Sequence, residues 1–218
     1  HKPDVWKLQC VKDGTTIKIE VNGTKRGILG DIETKQLCEK AKDEFGLTCF
    51  ASIVSWSQLF GGKIAAALSR QHPRDLFDCR GISPDDFNAV KDGFMLCLLG
   101  SDKPIIESLQ PNMIDQRDAL DNQFDGMTDE TFNYEDYQSS RANLIEVVNN
   151  GFTDEDKDFL ISFEEGNPDW TKCCAGDLSE YPSVKWKLMN IEKLKSKNPT
   201  KHKEGIDKLN EFFQAKIH

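Results

Sequence analysis

Apolar residues recur at helical spacing in the segment that starts at Ser55. They are Leu59, Phe60, Ile64, Ala67 and Leu68. This spacing predicts a helix with one buried stripe. The Gln71-His72-Pro73 segment should end the helix, because the residue before a proline avoids helical backbone angles. Proline suits a first helical turn, so a second helix is predicted from Arg74. The pattern therefore predicts a corner between two helices.

Alternating polar and apolar residues predict a hairpin near the start of the chain. Residues 5–12 and 15–21 are two short runs with β-branched side chains, and the Asp13-Gly14 pair between them favours a type I′ turn. Residues 33–45 have an amphipathic helical pattern that ends at Gly46. Residues 47–54 are predicted to form another strand. The first part of the chain is thus predicted to be β-β-α-β.

From Trp56 onward the pattern predicts helices only. The segment Ser83-Pro84-Asp85-Asp86 has the serine cap, the first-turn proline and the first-turn acids of a helix start. That helix should run to Leu99. Further helices are predicted at 114–124, 134–149, 154–164, 184–197 and 202–213, where Gly, Pro, Asn and Asp mark the breaks. We therefore predict an α+β fold: residues 1–82 form part of an α/β domain with a mixed sheet, and residues 83–218 form a helical bundle.

Composition narrows the functional classes. The chain has 218 residues, a formal net charge of −9 and a pI near 5.0, so any polyanion must meet a local basic patch. No apolar run of about 18 residues and no signal-peptide pattern occurs. Seven cysteines include no Cys-x-x-Cys pair, which does not favour a zinc site or a disulfide framework. These features predict a cytoplasmic protein that does not bind membranes.

Two clusters of charged residues are candidates for chemistry. The first, at the predicted corner, consists of Lys63, Arg70, Arg74, Asp75 and Asp78. On residue types alone, these acids and bases could simply pair with each other or with the backbone at the helix start. The second lies on one face of the second strand, where Lys18 could contact phosphate and Glu20 could bind a metal. The solvated face of an antiparallel sheet has the same pattern.

Lysines crowd the end of the chain between Lys185 and Lys203. Lys185 and Lys187 flank Trp186, so this region could meet RNA phosphates and a base. A solvated, lysine-rich face beside acidic helices explains the same pattern equally well.

Several ordered motifs resemble one protein family. The run from residue 62 to residue 78, GKIAAALSRQHPRDLFD, is similar to the signature of the AbiEii/AbiGii-type nucleotidyltransferase toxins of the DNA polymerase β-like superfamily. The other similar segments are 17–21, 123–130, 132–136, 159–163, 166–170 and 182–191. The resemblance covers nearly the whole chain, and several motifs in order are more specific than any single one.

The resemblance implies both a fold and an activity. The family joins a mixed α/β nucleotidyltransferase domain to a helical bundle. Its bacterial members use an NTP and a divalent metal such as Mg²⁺ to transfer a nucleotide to RNA, in the studied branches to the acceptor end of tRNA. They act in toxin–antitoxin and abortive-infection systems for phage defence, and a cognate antitoxin neutralises them.

The resemblance also implies roles for individual residues. Glu20 would be a metal ligand, and Lys18, Arg70 and Arg74 would bind the nucleotide. Lys63, Asp75 and Asp78 would be catalytic, with Lys63 on the triphosphate and the two acids completing or orienting the site. The Lys185–Lys203 region would contact tRNA.

One family motif has no counterpart in this sequence. The superfamily's primary metal site is a Gly-Gly or Gly-Ser helix start followed by Asp-x-Asp, and it precedes the Glu20 strand. Only residues 1–4 precede the first predicted strand here, so we expect this chain alone to be inactive in nucleotide transfer. The alternative is a non-catalytic binding module, or a decayed toxin, that engages a cognate antitoxin. A sheet without its leading strands should also expose an edge that favours pairing with a second copy of the chain.

Overall fold

The computed structural model describes residues 6–21 and 27–215, and it describes side chains within 8–19 and 27–215. The predicted strand position at Val5 and the side chain of Glu20 lie outside these ranges. Within them the chain is α+β, as predicted: four strands and one short helix between the third and fourth strands come first, and only helices follow.

The predicted hairpin is confirmed. Strand β1 (Trp6–Lys12) pairs antiparallel with β2 (Thr15–Val21). The turn residues Asp13 and Gly14 have φ angles of 50° and 79°, as a type I′ turn requires. Leu8 lies opposite Ile19 in the register, and their side chains are 58% and 48% exposed. The apolar face of this hairpin is therefore largely uncovered by the described residues.

The helix predicted from Glu33 was wrong in its first half. Residues Glu33–Gln36 form strand β3, which pairs antiparallel with β4 (Phe50–Ile53). Helix α1 is confined to Glu39–Phe45 and ends at Gly46 in the left-handed conformation. Pairing with a strand more than ten residues away overrode the local helical pattern. Over the described residues the strands form two separate two-stranded sheets, rather than one mixed sheet.

Helices follow without further strands in the described part of the chain. They are α2 (Trp56–Arg70), α3 (Pro73–Asp78), α4 (Pro84–Leu99), α5 (Ile105–Leu109), α6 (Arg117–Ala119), α7 (Tyr134–Asn150), α8 (Asp154–Glu164), α9 (Pro182–Lys197) and α10 (Pro199–Gln214). A π-helical turn, Leu120–Phe124, continues α6, and Trp170–Lys172 is a 3₁₀ turn. Seven of the predicted helices (α2, α3, α4, α7, α8, α9 and α10) are present, with ends within a few residues of those predicted. The helix predicted from residue 114 begins later, and α5 was not predicted.

Serine, threonine and asparagine caps explain why three long helices begin where they do. The side chains of Ser83, Asn133 and Thr153 each accept a hydrogen bond from the amide of the third residue of the helix that follows. The aspartate at that third position in turn accepts one from the backbone amide of the cap residue. Such a reciprocal pair satisfies two backbone donors that the helix itself leaves unpaired. None of the described helices is both long enough and apolar enough to cross a membrane.

Helices α2 and α4 are in backbone contact, and glycines make this approach possible. A Cβ atom on Gly61 would collide with the backbone of Phe94, and one on Gly93 would collide with the backbone of Ser57. The hydrophobic core beside this contact joins Ile64 of α2 to helices on the far side of residue 83. The proposed domain boundary between residues 82 and 83 stays a prediction.

Gln71 ends α2 and fixes the corner between α2 and α3. Its φ angle is 52°, which is strained for a residue other than glycine. The side-chain amide donates to the carbonyl of Asn112 at 2.6 Å, and its oxygen accepts from the amide of Ile114 at 3.3 Å and from Nη1 of Arg141 at 3.0 Å. The Gln71 carbonyl accepts from the hydroxyl of Tyr137 at 2.9 Å. These long-range bonds hold the strained turn in place.

We predict that Gln71→Ala lowers the free energy of unfolding by about 1–3 kcal/mol, since it removes the bonds that oppose the strain and leaves buried Arg141 with one acceptor fewer. Urea unfolding measures the change. Gln138→Ala is the matched control, because Gln138 is exposed on α7 and its loss should change the free energy by less than about 0.5 kcal/mol. Equal effects of the two substitutions would contradict the role given to Gln71.

A buried ion pair ties α4 to the start of α8. Asp156 is 2% exposed, and its Oδ2 accepts from Nζ of Lys91 at 2.6 Å and from both the amide and the hydroxyl of Thr153 at 2.9 Å. Burial alone would raise the pKa of Asp156. The hydrogen bonds from Lys91 and Thr153 outweigh burial, so the pKa lies below its usual value.

Asp156 is therefore expected to make stability depend on pH. A carboxylate whose pKa is lowered by folding stabilises the folded chain above about pH 4, and this contribution is lost as the pH falls through the folded-state pKa. We predict that Asp156→Asn costs about 2–4 kcal/mol at pH 7, because Lys91 stays buried without its partner. The difference from the unsubstituted chain should shrink at pH 3.

Urea unfolding at both pH values measures this effect. Asp154→Asn is the control, because Asp154 lies in the same helical turn but pairs with Lys157 at the surface, where its side chain is 91% exposed. It should cost less than about 1 kcal/mol. An Asp156→Asn penalty that is the same at pH 3 and pH 7 would show that the ionised form of Asp156 is not what stabilises the fold.

Candidate functional site

The α2–α3 corner brings the predicted charged residues onto two adjacent helices. Helix α2 ends at Gln71, and α3 begins immediately afterwards with Pro73 in its first turn. His72 caps α3, because its Nδ1 accepts a hydrogen bond from the amide of Arg74 at 3.2 Å. The sharp turn places α3 against α2. Basic side chains on α2 can therefore reach acidic side chains on α3.

Lys63 and Asp78 form the outer ion pair of the corner. Nζ of Lys63 lies 2.6 Å from Oδ2 of Asp78, and the two side chains are 36% and 39% exposed. Pairs of this exposure contribute on the order of 1 kcal/mol or less. Lys63 can therefore exchange Asp78 for a ligand phosphate at small cost.

Arg70 and Asp75 form the inner ion pair, and its two members differ in exposure. Nη2 of Arg70 lies 2.8 Å from Oδ1 of Asp75; the Arg70 side chain is 58% exposed, whereas that of Asp75 is 11% exposed. The second oxygen of Asp75, Oδ2, is buried and has no hydrogen-bond partner in the described part of the chain. Asp75 thus holds one nitrogen of Arg70 in place, while more than half of the Arg70 side chain remains exposed.

Arg74 adds a third cation to the corner. Its side chain is exposed, and it forms no ion pair with any residue that the structure describes. The corner as a whole carries three cations and two carboxylates, which leaves a local positive charge on a chain whose net charge is −9. Such a local patch is what an acidic protein needs in order to bind a phosphate group.

The two predicted residues of strand β2 are not part of these ion pairs. Lys18 lies opposite Gln9 on the hairpin and is exposed, and neither ion pair of the corner includes it. Glu20 lies opposite Lys7 in the register, and its side chain is outside the described part. Its assignment as a metal ligand stays a prediction.

The described side chains do not by themselves form a site for a divalent metal. Among them no group of three His, Cys, Asp or Glu residues could hold an ion. Asp75 and Asp78 are each bonded to a cation instead. Mg²⁺ binding at the corner would therefore need ligands beyond these two carboxylates.

Cys79, directly after α3, is the nearest thiol to the corner in sequence. Burial raises its pKa to about 12, and the neighbouring Asp78 contributes in the same direction. The thiol is therefore protonated at neutral pH and is not an activated nucleophile. All seven cysteines are free.

A groove of about 820 Å³ borders the corner. Arg70 lies at its edge, and Trp186 of α9 forms part of its wall. One prediction for α9 was wrong: Lys187 is 5% exposed, and its Nζ donates to the backbone carbonyl of Lys103. The Lys187 side chain therefore supports the fold, and Lys185 is the exposed lysine beside Trp186.

The charged residues of the corner were predicted from the sequence, but the residues that hold the corner in place were not. Gln71, Tyr137 and Arg141 form the buried support behind α2 and α3. Arg141 lies 70 positions after Gln71, in a helix whose pattern is otherwise ordinary. The only local signal was the position of Gln71, immediately before the His-Pro break.

One protein family matches most of the chain, including the corner. The family described as nucleotidyl transferase AbiEii toxin, type IV TA system, matches residues 5–190. Searches of curated proteins and of solved structures found no match. Because the matched range includes both strands of the hairpin, the corner and the first turns of α9, the chain belongs to the AbiEii nucleotidyl transferase toxin family of type IV toxin–antitoxin systems.

Proposed function

We propose that this chain carries the nucleotide-binding corner of a nucleotidyltransferase toxin that transfers a nucleotide from an NTP to an RNA acceptor. The observation that carries the proposal is the arrangement of Lys63, Arg70 and Arg74 on two adjacent helices within the matched family range. Phosphoryl transfer depends mainly on positioning and on stabilising negative charge. Cations anchored on rigid helices supply both.

Each charged residue has a distinct part in this proposal. Lys63 and Arg74 neutralise the triphosphate, and Arg70 does so from a fixed position because Asp75 holds one of its nitrogens. Asp78 holds Lys63 near the site until a phosphate takes the place of Asp78 as the partner of Lys63. Lys18 would also contact the triphosphate, and Glu20 would bind Mg²⁺ together with ligands that the described residues do not include.

The proposal also includes the RNA acceptor and the biological system in which the toxin acts. tRNA is the acceptor that the resemblance implies, and the exposed lysines between Lys185 and Lys203 would meet its phosphates. A cognate antitoxin would neutralise the toxin. The toxin would act in the bacterial cytoplasm as part of an abortive-infection system that defends against phage. A homo-oligomer formed through the exposed hairpin is part of the same proposal.

A second candidate is a non-catalytic module that binds its antitoxin. The exposed apolar face of the hairpin favours it, because Leu8 and Ile17 are 58% and 61% exposed and contiguous apolar residues at a surface often mark an interaction site. NTP binding separates the two candidates, since a module that only binds protein has no need of it.

We predict that Lys63→Ala weakens NTP binding at least about tenfold, because a charged hydrogen bond to phosphate is lost. Equilibrium dialysis of the purified chain with each of the four NTPs, with and without Mg²⁺, measures this change. Lys157→Ala is the matched control, because Lys157 is also paired with an aspartate but lies on α8. It should leave the dissociation constant unchanged.

Nucleotide transfer itself is measured with the protein as natively expressed, after its intact mass has established the N-terminus. In a native protein that carries the leading Asp-x-Asp segment, we expect incorporation of an α-³²P-labelled nucleotide into tRNA that is lost on chelation of Mg²⁺ and in Lys63→Ala. The chain of residues 1–218 alone should show no incorporation. Absence of NTP binding, together with stable capture of the antitoxin, would overturn the enzymatic proposal in favour of the binding module.

A further inference from the structure

The groove beside the corner is distinct in composition from the corner itself. Helices α2 and α4 form one side of it, the loop at residues 100–102 forms one end, and the first turns of α9 form the opposite side. Its volume of about 820 Å³ lies in the range of small-molecule binding sites. Arg70 is the residue that the groove and the corner share.

The α2 side of the groove is made of small residues. Gly62, Ala65 and Ala66 line it, and all three are half-buried. They lie at the edge of the packed face of α2: Ala65 packs against the core, and a Cβ atom on Gly62 would lie 3.6 Å from Sγ of Cys97 on α4. A flat surface without long side chains lets a planar ring or a sugar come close to the helix.

Trp186 supplies an aromatic wall opposite this surface. Its side chain is 55% exposed, and its indole ring contacts no other aromatic ring in the described part of the chain. Trp56 is a useful contrast: it is 62% exposed, but its ring centre lies 3.8 Å from that of Phe60. The indole of Trp186 thus has a free face on which a planar group can stack.

The polar groups of the groove suit a ligand with hydroxyls and one phosphate. Ser69, Ser101 and Ser108 line the groove together with the exposed carboxylate of Asp102. Hydroxyls and a carboxylate can bind the hydroxyls of a sugar, whereas Arg70 provides a positive charge. The N-terminal end of α9, which is the positive end of its helix dipole, borders the same space.

We propose that this groove binds one nucleoside monophosphate unit, with its base stacked on Trp186 and its phosphate directed toward Arg70. A stacking surface, sugar-binding oxygens and a single phosphate contact are the chemistry of a nucleotide rather than of a lipid or a peptide. The unit could come from a free mononucleotide or from an unpaired end of an RNA strand. Only the second source rests on the proposed function, because it makes the groove the binding site for the acceptor strand.

Two probes distinguish these sources. A six-nucleotide unpaired RNA with a 5′-fluorescein is titrated with the purified chain by fluorescence anisotropy, and AMP and UMP are added as competitors. If the ligand is an RNA end, the oligonucleotide should bind at least about tenfold more tightly than either mononucleotide. If the ligand is a free nucleotide, one of the mononucleotides should bind as tightly as the oligonucleotide does. Either result supports a nucleotide site in the groove.

Substitution of Trp186 tests the site directly. We predict that Trp186→Ala weakens binding of the tighter probe about tenfold, because stacking on the indole is lost, and that Trp186→Phe restores most of it. Trp56→Ala is the matched control and should leave binding unchanged. Unchanged binding in Trp186→Ala, or no binding of either probe at millimolar concentration, would overturn the inference.

The NTP site proposed at the corner and the nucleotide site proposed in the groove can be tested separately. Lys63→Ala should leave oligonucleotide binding within about twofold while it weakens NTP binding, and Trp186→Ala should do the reverse. If the chain binds NTPs but neither probe, the groove inference fails and the proposed function stands. If the probes bind in a Trp186-dependent way and NTPs do not bind, the proposed function fails and the groove inference stands.

Discussion

The left-handed turn at Gln71 is the constraint on which the rest of the corner depends. Helix α3 starts only three residues after the end of α2, and Gln71 between them adopts a backbone conformation that side chains normally avoid. Here the side chain that causes the strain also relieves it, because its amide bonds to the segment at residues 112–114 and to Arg141. The direction of α3, and therefore the position of Asp75 and Asp78, follows from bonds made on the buried side of the turn.

The two carboxylates of the corner determine how freely its cations can move to bind a ligand. Asp75 is nearly buried and leaves one oxygen without a donor, so removal of Arg70 would expose an uncompensated charge in the interior. Arg70 can offer its other nitrogens to a ligand but is costly to withdraw from Asp75. Lys63, whose partner Asp78 is partly solvated, has no such restriction. The corner therefore combines one fixed cation with one movable cation.

Features that depend on neighbouring residues were predictable from the sequence, and features that depend on distant ones were not. The Asp13-Gly14 turn and the cap at Ser83 are local, and the structure has them where the sequence indicates. Strand β3 was mistaken for helix because its partner β4 lies beyond α1. The burial of Lys187 and the bonds of Gln71 depend on segments far away along the chain. Site residues were found through their motif, whereas their support could be found only from the fold.

The glycine contact between α2 and α4 has a consequence for ligand selection in the groove. Two helices whose backbones touch at Gly61 and Gly93 cannot slide or separate independently, so the surface formed by Gly62 and Ala66 moves with α4 as one body. The opposite wall belongs to α9, which approaches α4 where Gly100 meets the side chain of Ser183. The width of the groove therefore depends in part on how closely α9 approaches the end of α4 at Gly100.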